Sequence, residues 1–127
     1  MDRLETYKTT IIIRTETEER SVSLNTSIAR GWNELSDVIA KEKGDIQDAS
    51  LLAKRDKTLA AGLWLTKQAE NAKLYINAIQ TALTPSEYRK IRDIIEYIDL
   101  NGLRAIAVEI INRYTAYYDS QTKEFAE

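Results

Sequence analysis

From Ile46 to Leu83 the chain contains no proline, and its apolar side chains recur at helical spacing. A stretch this long with period-3.6 patterning buries its apolar face as an α-helix and not as a strand. Ala61, Leu65, Ala69, Ala72, Ile76, Ile79 and Leu83 form one stripe along it. Small residues dominate the first half of the stripe, so another helix can approach closely there, while Ile and Leu fill the second half. Unbroken, the helix over 46–83 would be about 55 Å long at 1.5 Å per residue. A break near Lys54-Arg55-Asp56-Lys57, with Asp56 as a new N-cap, is the competing reading, and the continuous helix is preferred. Gly62-Leu63-Trp64-Leu65 is apolar all round, which predicts burial from more than one side or in an oligomer.

The flanking segments extend the helical pattern. Ile28, Trp32, Leu35 and Ile39, with Val38 beside them, predict a helix over 26–43. Asn25 or Thr26 is its expected N-cap, and Gly44 after Lys41-Glu42-Lys43 its expected stop, with Asp45 capping the helix that follows. Thr84-Pro85-Ser86-Glu87 has the form of a capping box with proline at the first helical position. It opens a predicted helix over 85–99 that presents Tyr88, Ile91, Ile95 and Ile98 on one face, with Ile94 beside them. Asn101-Gly102 is the expected stop. A last helix over 102–119 carries Leu103, Ile106, Ala107, Ile110, Tyr114 and Tyr117, and the polar tail from Ser120 is expected to fray.

The N-terminal part reads differently. Lys8 to Thr15 is β-branched, and Arg20 to Leu24 alternates polar and apolar residues across a charged turn at Glu16 to Glu19. Together they predict a hairpin over 7–24. Two strands alone are marginal in water, so the hairpin must pack on the helices or pair with another chain. The expected architecture is mainly α: a single domain over 1–127, an antiparallel helical bundle of about four helices behind a short N-terminal β-hairpin.

Composition removes most catalytic chemistry. The chain has no histidine and no cysteine. That excludes the commonest general base, thiol catalysis and Cys/His zinc sites. Gly31, Gly44, Gly62 and Gly102 are scattered and form no phosphate-binding loop. Asp93 with Glu96, and Glu34 with Asp37, share helix faces, but carboxylate metal sites in bundles usually add a His three residues after a Glu. The expectation is a non-enzymatic protein with no cofactor, no metal and no small-molecule substrate. The polar start MDRLETYKTT has no signal-peptide core, and apolar runs such as Ile11 to Ile13 are far too short to span a bilayer. No membrane association and a cytoplasmic location are expected.

Charge is what points to partners. Net charge is −2, yet residues 50–92 hold eight Lys/Arg against three Asp/Glu, while the segments on either side carry −3 and −4. The cations Lys54, Arg55, Lys57, Lys67, Lys73, Arg89, Lys90 and Arg92 lie on successive helices. If those helices run antiparallel, the cations fall either on one face or at opposite ends of the bundle. One shared face would suit a nucleic-acid backbone, and the expected function is a small subunit binding one within a larger assembly. The alternative is a protein–protein adaptor or inhibitor, homodimeric or with another protein, using Ile11 and Ile13 at the hairpin edge or Tyr118 on the Tyr-rich last helix.

Overall fold

The computed structural model describes the chain from residue 9 to residue 126, and its side chains as far as Thr122. The expected hairpin start at 7–8 and the final residue lie outside the described residues. The elements in chain order are β1 (Thr10–Arg14), β2 (Glu19–Ser23), α1 (Arg30–Ala53), α2 (Lys57–Ala82), α3 (Pro85–Tyr88), a 3-10 turn (Ile95–Tyr97) and α4 (Leu100–Ala126). The chain is mainly α-helical, with helices packed on one another behind an antiparallel two-stranded hairpin.

β1 and β2 pair from Thr10 with Ser23 to Arg14 with Glu19. The turn has no Asn-Gly or Asp-Gly. Thr15 replaces it: its N–H donates to the Glu18 carbonyl at 2.9 Å, and its Oγ1 accepts from the N–H groups of Thr17 and Glu18. Alternation turns Ile11, Ile13, Val22 and Leu24 inward, where all four are buried. The outer edge of β2 is tied to the helices. Leu24 bridges Leu83, and the Asn25 N–H donates to the Ala82 carbonyl at 2.9 Å. Glu87 was expected to reach back to the Thr84 N–H. Its Oε1 instead accepts from the Ser23 N–H at 2.7 Å, and Thr84 keeps its half of the box by accepting from the Glu87 N–H at 3.3 Å.

Helix boundaries differ from expectation at six points, one of them the end of α4, which runs on to Ala126 past the expected end at 119. α1 starts at Arg30 and not at 26. The Asn25 backbone is held against the end of α2 by Ala82 and by the Tyr114 hydroxyl, so no helical turn can start there. α1 then runs through Gly44, because glycine permits a stop without forcing one, and ends at Ala53. The continuous 46–83 helix is therefore corrected: the break falls at 54–56, where Asp56 Oδ1 accepts from the Leu59 N–H at 3.0 Å and caps α2. The expected 85–99 helix is one α-turn followed by tight i to i−3 turns. Arg20 donates to the Lys90 carbonyl at 2.8 Å, and the Ile94 N–H turns to Ile91. Asn101-Gly102 is not a stop: α4 begins at Leu100, and Asp99 Oδ1 accepts from the Gly102 N–H at 2.8 Å.

α1 and α2 run antiparallel, with Gly31 against Ala82, Glu42 against Tyr75 and Asp45 against Asn71. α4 lies along both. Arg104 reaches Glu42, while the Tyr114 hydroxyl donates to the Ala82 carbonyl and Trp32 Nε1 to Thr115 Oγ1. α4 is thus antiparallel to α1 and runs in the direction of α2. The core lies between these three helices, the hairpin and the Tyr88 to Ile95 segment, around Leu35, Tyr75, Ile79, Ile91, Leu103 and Ile110.

Helical propensity alone decides two positions. Gly44 and Gly62 sit inside helices without positive φ, and a Cβ on either would meet nothing within 4 Å. Gly44→Ala and Gly62→Ala should each stabilise the fold by about 0.5–1 kcal/mol, read as an increased urea midpoint at unchanged m-value.

Candidate functional site

The cations expected to form one face are divided by the length of α2. Lys54 and Arg55 lie in the α1–α2 turn and Lys57 opens α2, whereas Arg89, Lys90 and Arg92 follow its far end. From Lys57 to Ala82 the helix rises about 38 Å. Lys90 pairs with Glu87 at 2.8 Å, and Lys67 lies 4.0 Å from Glu70. Among the described residues, Lys54, Arg55, Lys57, Lys73, Arg89 and Arg92 are exposed and have no ion pair within 4 Å.

The three expected partner-binding residues, Ile11, Ile13 and Tyr118, are used internally. Ile11 and Ile13 face the core, and Ile12 is the hairpin isoleucine that faces out. The physical reason is strand alternation: the hairpin needs those two side chains to hold it on the helices. Tyr114 is fully buried, which pushes its hydroxyl up to about 12. Tyr118 stacks on it at 5.8 Å and donates to the Thr26 carbonyl at 3.3 Å. These rings fix the 25–30 connection and do not present a free aromatic face.

The structure brings together a different surface. α4 begins near the level of Glu42 and Tyr75, so α1 beyond Asp45 and α2 before Asn71 extend past the three-helix body as a two-helix arm. Its α2 side is about 21 Å long. Between residues 46 and 70 Ala60 alone is buried. Leu51, Leu59 and Leu65 are 60%, 59% and 67% exposed, and Ile46 is exposed too. One shallow groove of about 310 Å³ has an Ala49, Ala53, Ala60 and Ala61 floor between Ile46 and Trp64. A second, of about 610 Å³, runs along Leu52, Leu59 and Leu63. Lys54, Arg55 and Lys57 crown the tip. The sequence carried this signal in Gly62-Leu63-Trp64-Leu65, but its meaning depended on the break at Asp56.

A buried polar cluster closes the core where the arm begins. The Glu42 side chain is 3% exposed. It accepts from Arg104 Nε at 2.7 Å and Nη2 at 2.5 Å, and from the Tyr75 hydroxyl at 2.6 Å. The Arg104 hydrogen bonds hold its carboxyl below the usual range against the opposing effect of burial, and the Tyr75 bond assists. Burial, and then the bond to Glu42, push the Tyr75 hydroxyl well up. Beside it Lys41 Nζ donates to Asp45 at 2.8 Å, to Asn71 at 2.9 Å and to Glu70 at 2.6 Å, and Asn71 donates to Asp45 at 3.0 Å. The Lys41 bond lowers the Asp45 carboxyl. Every polar atom named here points at another protein group, so the cluster is a fixed junction and offers no open ligand position.

Among the described residues no three acidic side chains gather as they would around a metal ion, and no helix is long and apolar enough to cross a membrane. Asp93, a candidate carboxylate, accepts from Arg20 at 2.6 Å. Comparison with protein-family models, with curated proteins and with solved structures finds no match to the chain.

Proposed function

We propose that the chain is a non-enzymatic protein–protein interaction module and that the α1–α2 arm is its docking surface. The observation that supports this reading is the clustering of Ile46, Leu51, Leu59 and Leu65, all exposed, on the part of the molecule that α4 does not reach. Scattered surface leucines are ordinary, whereas several exposed apolar side chains on one short arm, beside two grooves lined largely by apolar residues, mark a contact site. A photo-cross-linking residue placed at Leu51, Leu59 or Leu65 in the native host tests the proposal, with Ile12 and Val108, 45% and 42% exposed, as controls elsewhere. Discrete protein adducts from the arm positions and none from the controls are expected. Adducts of equal strength from both sets, or none from the arm, would overturn the reading.

Binding to a nucleic-acid backbone is the second reading, favoured by the three unpaired cations at the tip. Contacts there reach about three phosphates, so log K for single-stranded RNA should fall with log salt at a slope of about −2, and for duplex DNA about −3. Slopes about twice as steep, returned to these values by charge reversal at Arg89, Lys90 and Arg92, would mean that both clusters engage one strand and would favour the nucleic-acid reading over the adaptor reading.

A further inference from the structure

We propose that the arm's occupant is the arm of a second copy of this chain, packed antiparallel to form a four-helix bundle. This rests on the docking reading above and names its partner. The first argument is continuity. The apolar stripe of α2 runs unbroken from Ala61 to Leu83. Ile79 and Leu83 are in the core and Ala72 and Ile76 pack against it, but Ala61, Leu65 and Ala69 are exposed where α4 has not yet begun. The cover that this half of the stripe lacks is helical. The second argument is shape. The alanine floor between Ile46 and Trp64 admits a helix at close range, and a two-helix arm needs two more helices to close into a bundle. A second arm supplies both through one self-complementary patch.

Charge fixes the direction. Tip-to-tip packing would gather six cations, Lys54, Arg55 and Lys57 from each copy, around few anions. An antiparallel arrangement instead separates the two tips and sets each beside the other copy's base, where exposed Asp48 has no ion pair within 4 Å. Size fixes the strength. A face about 21 Å long and about 20 Å wide gives about 400 Å² of flat contact per copy, below the roughly 800 Å² of a standard interface. A face this small suits a weak, reversible dimer that still forms at concentrations up to about 1 mM.

Sedimentation equilibrium from about 1 µM to 1 mM should show mass rising from monomer towards dimer. Leu65→Lys and Ala61→Lys should each weaken association at least tenfold without changing the helical circular dichroism. The chain has no cysteine, so Thr58→Cys at the tip and Lys73→Cys at the base can each carry one spin label. A mixture of the two labelled proteins should give a shorter distance than either protein alone, because antiparallel packing places tip beside base. A short tip-to-tip distance overturns the arrangement. A strict monomer at 1 mM overturns the second-copy inference, and if the arm positions still cross-link to a different protein the docking reading stands without it.

Discussion

Arg104→Met should destabilise the protein by about 3 kcal/mol in urea unfolding at pH 7. The loss comes chiefly from Glu42. Its carboxylate is buried and would be left with the Tyr75 hydroxyl in place of a two-pronged guanidinium. The figure sits at the low end of the range for broken buried pairs because the Arg104 side chain is 35% exposed and water can partly replace it. Removing both charges, in Glu42→Leu with Arg104→Met, should recover most of the loss. The pH dependence supplies a second readout. In the wild type the folded Glu42 carboxyl lies below its unfolded value. Its stabilisation is fully present above the unfolded value near 4.3 and is lost as pH falls through the lowered folded value. Asp45 acts in the same direction. In Arg104→Met burial is no longer opposed by the guanidinium, so the Glu42 carboxyl rises above its unfolded value. The folded variant then binds the additional proton, and its deficit against wild type should shrink as pH falls towards 4.

Gly31→Ala should be at least as damaging, at about 3 kcal/mol, the upper end of the usual overpacking range. A Cβ there would lie 2.5 Å from Ala82 Cα, 2.7 Å from its Cβ and 2.9 Å from its nitrogen. Backbone cannot move aside as a flexible side chain would. The Ala82 carbonyl also holds the Asn25 N–H and the Tyr114 hydroxyl, so displacing this turn loosens the hairpin connection and α4 together. Ala82→Gly in the same chain should restore only part of the loss, since the 2.5 Å approach to Cα remains. Propensity alone predicts the opposite sign, and Gly44→Ala and Gly62→Ala should show it, since nothing lies nearby. The sign difference among these three substitutions, measured by thermal or urea unfolding, separates close helix approach from intrinsic helix preference.

The elements with periodic or capping signals were legible in the sequence. β-Branched residues located the first strand of the hairpin and polar–apolar alternation the second, Thr84 caps α3, and Asp56 was recognised as a cap although the unbroken helix was preferred. Gly44 misled because a glycine without positive φ carries no stop signal. The 85–99 segment misled because its apolar spacing suits tight turns and an α-helix alike, and the bonds donated by Arg20 and by the Ser23 N–H that shape it come from the hairpin, more than sixty residues away in sequence. The junction was invisible for a similar reason. Glu42 and Asp45 looked like helix-end charges, and their burial depends on Arg104, Tyr75 and Asn71 being brought to the same level. As for the candidate site, the basic run over 50–92 was legible in the sequence, but the length of α2 sets its two clusters apart. The apolar arm followed from where α4 starts, which Asn101-Gly102 had suggested only as a boundary between helices.

The apolar side chains of the arm lie outside the core and are exposed for contact. Urea unfolding of Leu59→Lys with Leu65→Lys tests it, at a concentration where the wild type is monomeric and with Ile79→Ala as a buried comparison. The double variant should unfold within about 0.5 kcal/mol of wild type, as exposed substitutions do, while Ile79→Ala loses about 2–5 kcal/mol. A loss in the double variant as large as that of Ile79→Ala would mean that the arm leucines belong to the folded core, and would contradict the account.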